Sequence, residues 1–259
     1  MKQPTLLYYN IAPDAVAFST TRQGGVSTGN FASFNINRYC GDSEEAIREN
    51  RRLLCDLLQI NDEHLIMPHQ VHLTKTLQID EAFFACSNEE RNNKLEGVDA
   101  VITNLPEICI GVSTADCIPV LLYDCRQKAA AAIHAGWRGT VRRIVQQTIA
   151  DMKASYGSEP QDIKAQIGPG ISLDSFEVGD EVYNAFAAAD FDMSLISQRK
   201  EKWHIDLPEC NRLQLIQSGI PSESISVANI CTMKQSDTFF SARRLGIQSG
   251  RIFTGICIR

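Results

Sequence analysis

The chain holds five histidines and nine cysteines among 259 residues, and three short strings concentrate its chemistry. His69-Gln70-Val71-His72 carries two of the histidines. On a helix, residues three apart share a face, whereas on a strand they point to opposite sides. Pro68 leaves a loop or short strand equally open, and in a strand only one of the pair would serve a site. A hydrogen-bonded structural role is the plain alternative for each. The second string is Asp116-Cys117-Ile118-Pro119. A reactive thiol there needs its pKa lowered by a metal or an imidazolium. Asp116 opposes thiolate formation unless it turns away or orients a partner, and the plain alternative is an inert thiol beside a turn-capping aspartate. The third string, His134-Ala135-Gly136-Trp137-Arg138-Gly139-Thr140, is the richest. Its glycines allow close approach of backbone or ligand, Arg138 can grip an oxyanion with two prongs, and amides at a following helix start add donors. Trp137 suits stacking on a heterocycle or packing in a core; Arg138 equally suits a structural ion pair.

These strings need elements to hold them. The segment 15–20 has the pattern of an early strand, running into Gly24-Gly25 as a tight turn. Asp42, with Glu45 three positions on, predicts a capping box for a helix whose apolar stripe includes Ile47, Leu54 and Leu58. Four short apolar runs, 98–103, 108–113, 120–123 and 129–134, predict adjacent strands, several buried on both faces. A helix is expected over about 140–156, ended by Gly157. His134 to Thr140 would then be a strand–turn–helix junction, a place where loops expose residues that the sheet holds still. Further on, 163–167 and 252–258 read as strands, 179–188 and about 208–217 as helices, and 220–230 contains a return strand. The class is α/β with mixed sheets, and with no Pro/Ser/Gly-rich linker or charge block visible, residues 1–259 are expected to form one domain.

Composition narrows the partners. Hydrophobic residues make up 44% and charged residues 22%, which fits a folded globular protein. A formal charge of −6 argues against nucleic acid or an anionic membrane as partner. The arginine pairs at 51–52, 142–143 and 243–244 are too short for a nucleic-acid stripe, but one or two arginines in a cleft can bind phosphate. No signal-peptide core or membrane-length apolar run is present, and an odd cysteine count needs no disulfide framework. The expectation is a reduced, cytoplasmic protein. Zinc-finger spacings, a His-Glu-x-x-His helix, a Gly-x-Ser-x-Gly elbow, a Walker A loop and a dinucleotide-binding glycine motif are all missing.

Ordered blocks across nearly the whole chain resemble the YfiH family of laccase-domain proteins. They include 18–27, His69-Gln70-Val71-His72, 97–103, Thr114-Ala115-Asp116-Cys117-Ile118-Pro119, the 134–140 string, Gly168-Pro169-Gly170, Cys231-Thr232 and Phe239-Phe240-Ser241-Ala242-Arg243-Arg244. The resemblance places a metal site on His72, Cys117 and His134, with His69 outside it. Two departures stand out: Thr21 within the usual Ser-Thr-Arg, and Ala242 where an aromatic commonly stands.

The resemblance implies a layered α/β/β/α fold and a mononuclear zinc site, with copper also associated with relatives. Purine nucleosides and inorganic phosphate are the implied partners, for phosphorolysis (methylthioadenosine included) and for adenosine deamination. Two imidazoles and a thiolate suit zinc and leave a coordination position for water or substrate, and zinc would favour the thiolate despite Asp116. Arg138, Arg22 and Arg243, in that order, are the expected anion or substrate contacts, and Asp116 the expected orienter or general acid/base. Two other enzyme readings stay open: a Cys117 hydrolase, with His134 as base, editing a peptidoglycan precursor, and a copper-dependent polyphenol oxidase. A single three-ligand centre argues against the oxidase, which uses several coppers. A non-catalytic ligand-binding protein is the remaining alternative.

Overall fold

The computed structural model describes residues 3–259. The chain opens with a hairpin, β1 (Leu6–Ala12) and β2 (Ala15–Thr20), then helix α1 (Glu44–Leu58). Strands β3 (Leu65–Ile66) and β4 (Thr76–Gln78) and helices α2 (Glu81–Ala85) and α3 (Asn88–Leu95) follow. Next come β5 (Ala100–Thr103), β6 (Cys109–Thr114), β7 (Ile118–Asp124) and β8 (Ala129–Ala135). Helices α4 (Trp137–Val141) and α5 (Ile144–Tyr156) lead to β9 (Ile163–Ile167). A peripheral stretch holds β10 (Glu177–Val178), α6 (Asp180–Ala188), α7 (Met193–Ile196), β11 (Ser197–Arg199) and β12 (Trp203–Ile205). The chain closes with α8 (Leu207–Gln217), β13 (Ile225–Val227), α9 (Ala242–Leu245) and β14 (Ile252–Ile258).

Two large mixed sheets result, ordered β1-β2-β14-β6-β3 and β13-β9-β7-β8-β5-β4, with a small antiparallel sheet β10-β12-β11 beside them. Strand alternation assigns their faces. On β7, Leu121 and Tyr123 join Ile110, Val112 and Ile256 of the other sheet in a core between the two, while Val120 and Leu122 face the opposite way. That outer face packs on Ile144, Val145, Ile149 and Met152 of α5 and Leu215 of α8. The far face of the first sheet packs Phe18 and Phe253 against Leu54 and Leu58 of α1. The layering is α/β/β/α, as the resemblance implies.

Three local expectations are corrected. Asp42 does not cap α1: Ser43 does, accepting from the Ala46 amide, while Asp42 accepts from Ser27, Asn35 and the Ser43 amide. A tertiary demand on the stronger acceptor moves the cap one residue along. The expected helix over 140–156 begins at Trp137 and breaks at Arg143, which adopts the left-handed conformation at φ 63°. Arg143 there donates to the Ala189 carbonyl and lies over Phe191, contacts that no helical period encodes. The four central runs are all strands, but β6 belongs to the other sheet from β5, β7 and β8. All six of its residues are buried, so burial alone does not say which sheet it joins.

That division matters for the site, because residues 115–117 carry the chain from one sheet to the other at the sandwich end. The first sheet has its own tight point. Gly111 on β6 pairs with Gly255 on β14, and the Phe253 ring lies across both, leaving no space for a side chain at 111. Gly111→Ala should therefore overpack this contact and destabilise the protein by about 1–3 kcal/mol. A urea unfolding curve with an unshifted midpoint would refute that account.

Candidate metal centre

Three segments converge where the two sheets end. His72 lies after β3, in a loop fixed by backbone pairing: the His69 amide donates to the Leu95 carbonyl, and the Gly97 amide to the His69 carbonyl. The Gln70 side chain grips Ser113 at the end of β6, donating to its carbonyl and accepting from its amide, each at 2.8 Å. His72 itself takes the left-handed conformation at φ 63°, and its side chain stands exposed. Cys117 sits at the crossover from β6 to β7 and is half-buried. His134, 3% exposed, lies near the end of β8. Their donor atoms all fall within 4.8 Å of one another, and the two imidazoles meet edge to face with centroids 4.7 Å apart.

Asp99 organises this cluster. Its carboxylate is fully buried just ahead of β5. Oδ1 accepts from His134 Nδ1 at 2.7 Å and from the His72 amide at 2.9 Å. Oδ2 accepts from the amides of Leu73 at 2.8 Å and Val71 at 3.3 Å. Its backbone carbonyl accepts the His134 amide at 2.8 Å. One residue thus fixes the orientation of one histidine and the backbone of the other. Burial alone would raise this carboxyl's pKa, but the His134 contact and the amides hold it below the ordinary range. Because Nδ1 faces Asp99, Nε2 of His134 is left facing the other donors, the arrangement typical of metal-ligating histidines.

The thiol responds to the same field. Burial pushes Cys117 up, yet the charge of His134 and hydrogen bonds with both histidines outweigh it and bring the thiol down to about 6. His134 moves the other way: burial opposes its charge, but the Cys117 thiolate and Asp99 raise it to about 9. Each group thus favours the charged form of the other. Gly136 leaves the space: a β-carbon there would come 2.9 Å from His72 Cδ2, 3.1 Å from Cys117 Sγ and 3.7 Å from His134 Nε2. Two imidazole nitrogens and a thiol whose ionisation they favour, around space that any side chain would fill, fit a divalent metal of zinc type.

The centre opens into a cavity of about 380 Å³ lined by Ala115, Asp116, Trp137, Phe176, Arg243 and Ile247 among others. Trp137 begins α4, which α8 braces through Gln214 donating to the Thr140 carbonyl and Asn211 to the Thr140 hydroxyl.

A family model described as multi-copper polyphenol oxidoreductase laccase matches residues 16–259. The chain belongs to this family. It is 52% identical over 244 residues to a purine nucleoside phosphorylase of Bacteroides thetaiotaomicron, covering 93% of this chain and 90% of that protein. It is 42% identical over 243 residues to adenosine deaminase RL5 of an unknown prokaryotic organism, covering 93% and 92%. In three dimensions it matches YlmD of Geobacillus stearothermophilus with a TM-score of 0.89 at 30% identity, over 97% of this chain and 94% of that one. YfiH of Bacillus licheniformis matches with the same score at 28% identity, over 99% and 97%. The YfiH-type family and fold inferred from the sequence blocks are thereby shown.

Within this family fold the expected site residues separate. His72, Cys117 and His134 come together, with Asp116 and Arg243 on the cavity wall. Arg138 is exposed beside the cavity, its guanidinium over the neighbouring Trp137 ring at 4.2 Å. Neither Arg138 nor Arg22 is among the lining residues. The Nε of Arg22 donates to the Ala32 carbonyl at 2.8 Å and its Nη1 to the Ser236 carbonyl at 2.7 Å, with the guanidinium over Phe240. His69 binds Glu96 through Nδ1 and stacks on Tyr39, outside the donor cluster. All nine cysteines are free. Sequence reasoning assigned no role to Asp99; its signal was a lone acid inside the short apolar run 98–103.

Asp99→Asn, which keeps the shape but loses the charge, should weaken metal binding about 10–100-fold. Competition with a chelator measures it, and unaltered affinity would remove Asp99 from this role. In the metal-free protein, alkylation of Cys117 followed by peptide mass spectrometry should show a midpoint near pH 6. A midpoint at the ordinary thiol value of about 8.5 would contradict that mutual effect.

Proposed function

We propose that this protein is a zinc-dependent purine nucleoside phosphorylase, using inorganic phosphate on adenosine, inosine, guanosine or methylthioadenosine, with adenosine deaminase activity at the same centre. The observation that carries this reading is the His72, Cys117 and His134 cluster opening into a cavity lined by Trp137, Phe176 and Arg243. Similarity to a purine nucleoside phosphorylase and to an adenosine deaminase supports it. No helix among the described residues is long and apolar enough to cross a membrane, and we place the protein in the cytoplasm, where free thiols stay reduced.

His72, Cys117 and His134 would hold the zinc, which supplies Lewis-acid polarisation of a bound oxygen. Trp137 and Phe176 offer flat apolar surface to the purine. Arg138, whose guanidinium makes no ion pair among the described residues, is the proposed grip on phosphate, with Arg243 as second contact. In phosphorolysis, an oxygen of dihydrogen phosphate forms a bond to the ribosyl carbon while the bond to the purine nitrogen breaks, and the purine leaves with the electron pair and takes up the proton that the phosphate gives up. In deamination, water adds to the purine carbon bearing the amino group, and ammonia departs. Asp99 keeps His134 in the orientation that either reaction requires.

A second reading has its own support. Cys117, lowered to about 6 beside His134, also has the form of an activated nucleophile with its base, as a hydrolase acting on a cell-wall precursor amide would need. A copper-dependent polyphenol oxidase ranks below both. Among the described residues a single cluster of three donors gathers, whereas dioxygen reduction by multicopper oxidases uses several coppers.

Zinc-loaded protein given inosine should release hypoxanthine and ribose 1-phosphate only when phosphate is present. With zinc occupancy verified, absence of phosphate-dependent product would reject the phosphorylase. A covalent adduct on Cys117 during turnover would favour the hydrolase instead.

A further inference from the structure

Asp116 adjoins the metal donor Cys117, yet its carboxylate hydrogen-bonds none of the three donors. Its backbone sits at φ 88°, a conformation that side chains other than glycine rarely adopt. Such a conformation persists where the surroundings over-determine it, and here they do. Oδ1 accepts from the Thr232 hydroxyl and Oδ2 from the Arg243 amide, both at 2.7 Å. The Asp116 carbonyl accepts the Ile171 amide at 2.8 Å. Three bonds therefore run to three separate segments of the chain.

The bond to Arg243 matters most. Helix α9 is a single turn with no buried residue, too short to stand alone. The segment is anchored beneath by Phe239, Phe240 and Ile252, which pack together. Above that anchor, Ala242, Arg243 and the 80% exposed Ile247 form part of the cavity wall with little burial to place them. What places them is hydrogen bonding. Ser241 accepts from the Arg244 amide, Asp116 from the Arg243 amide, and the Arg243 guanidinium donates to the Glu177 carbonyl. Leu245 of α9 and Ala115 of the crossover both pack on the apolar cluster beneath, but of these hydrogen bonds it is the one to Asp116 that ties the wall directly to the residue beside Cys117.

We infer that Asp116 is a positioning residue that sets the α9 wall at a fixed place relative to the metal centre, and through that wall sets substrate affinity, rather than exchanging a proton with the substrate. The kinetic half of this inference rests on the proposed phosphorylase activity; the structural half rests on the geometry alone.

Two variants of the zinc-loaded full chain test it. Asp116→Gly removes the carboxylate while accommodating φ 88° without strain. Asp116→Asn can keep both side-chain bonds, its carbonyl accepting from the Arg243 amide and its amide donating to Thr232 Oγ1, and asparagine tolerates left-handed backbone. Asp116→Gly should raise KM for inosine about tenfold, the value of a lost charge-assisted hydrogen bond, and lower kcat far less. Asp116→Asn should restore KM and leave the limbs of the pH–rate profile in place. A general acid or base would instead lose about 100-fold or more in kcat as the asparagine variant, and that result would overturn the inference. Amide hydrogen exchange supplies a readout independent of turnover: residues 241–247 should exchange faster in Asp116→Gly and at the wild-type rate in Asp116→Asn. Unchanged exchange in the glycine variant overturns the inference even if the enzyme proves silent. A wild-type protein without phosphate-dependent product counts against the proposed activity alone, and the exchange result then stands by itself.

Discussion

The buried carboxylate of Asp99 is the interaction on which the centre depends. A carboxylate wholly removed from water is costly unless its charge and lone pairs are met, and removing a partner from such a group typically costs several kcal/mol. Here the imidazole of His134 and the amides of residues 71, 72 and 73 meet them. The stabilisation of that one charge draws the His72 loop onto the end of β5 and turns the His134 ring so that one nitrogen faces the other two donors. Cys117 then arrives next to two imidazoles, and its ionisation follows from their field despite its burial. Orientation and convergence of the donors are thus two consequences of one buried charge.

The sandwich explains why the donors are held still. His134 lies near the end of a strand buried along its whole length, and Cys117 on a short crossover between two sheets that share a core. Neither can move without disturbing strand pairing. His72 has no such strand, and three devices replace it: the Gln70 grip on Ser113, the backbone pairing of His69 with the segment around Glu96, and Asp99. Gly136 completes the design negatively, since a single β-carbon there would occupy the space the donors surround. The cavity wall is built more lightly, from hydrogen bonds at a one-turn helix, so it is softer than the frame that holds the three donors.

Individual elements were legible where burial, one-sided in α1 or complete in β5 to β8, sets the apolar pattern, and were misread where a tertiary contact outweighed a local preference. The stripe of α1 and the runs of β5 to β8 were legible because apolar period follows directly from packing. The cap of α1 was misplaced because Asp42 serves a loop network formed with Ser27 and Asn35. The break at Arg143 was hidden because its reasons, Ala189 and Phe191, lie some fifty residues away. The arginines show the same limit. Arg22, Arg138 and Arg243 look alike as anion grips in the sequence, but Arg22 spends its donors on the carbonyls of Ala32 and Ser236.

By itself the sequence determined the α/β class, the apolar layers, at least one unpaired cysteine from an odd count, and, through the order of its motif blocks, the family. Those properties reside in residue type and period, which any folded form of this chain must satisfy. Only the tertiary structure decided that Asp99 governs both histidines, that β6 and β7 lie in different sheets, and that Asp116 faces Thr232 and Arg243 instead of the donors. Each of these depends on which distant group meets a buried charge or an unpaired amide. Hydrogen bonds between residues tens to hundreds of positions apart leave no periodic trace along the chain.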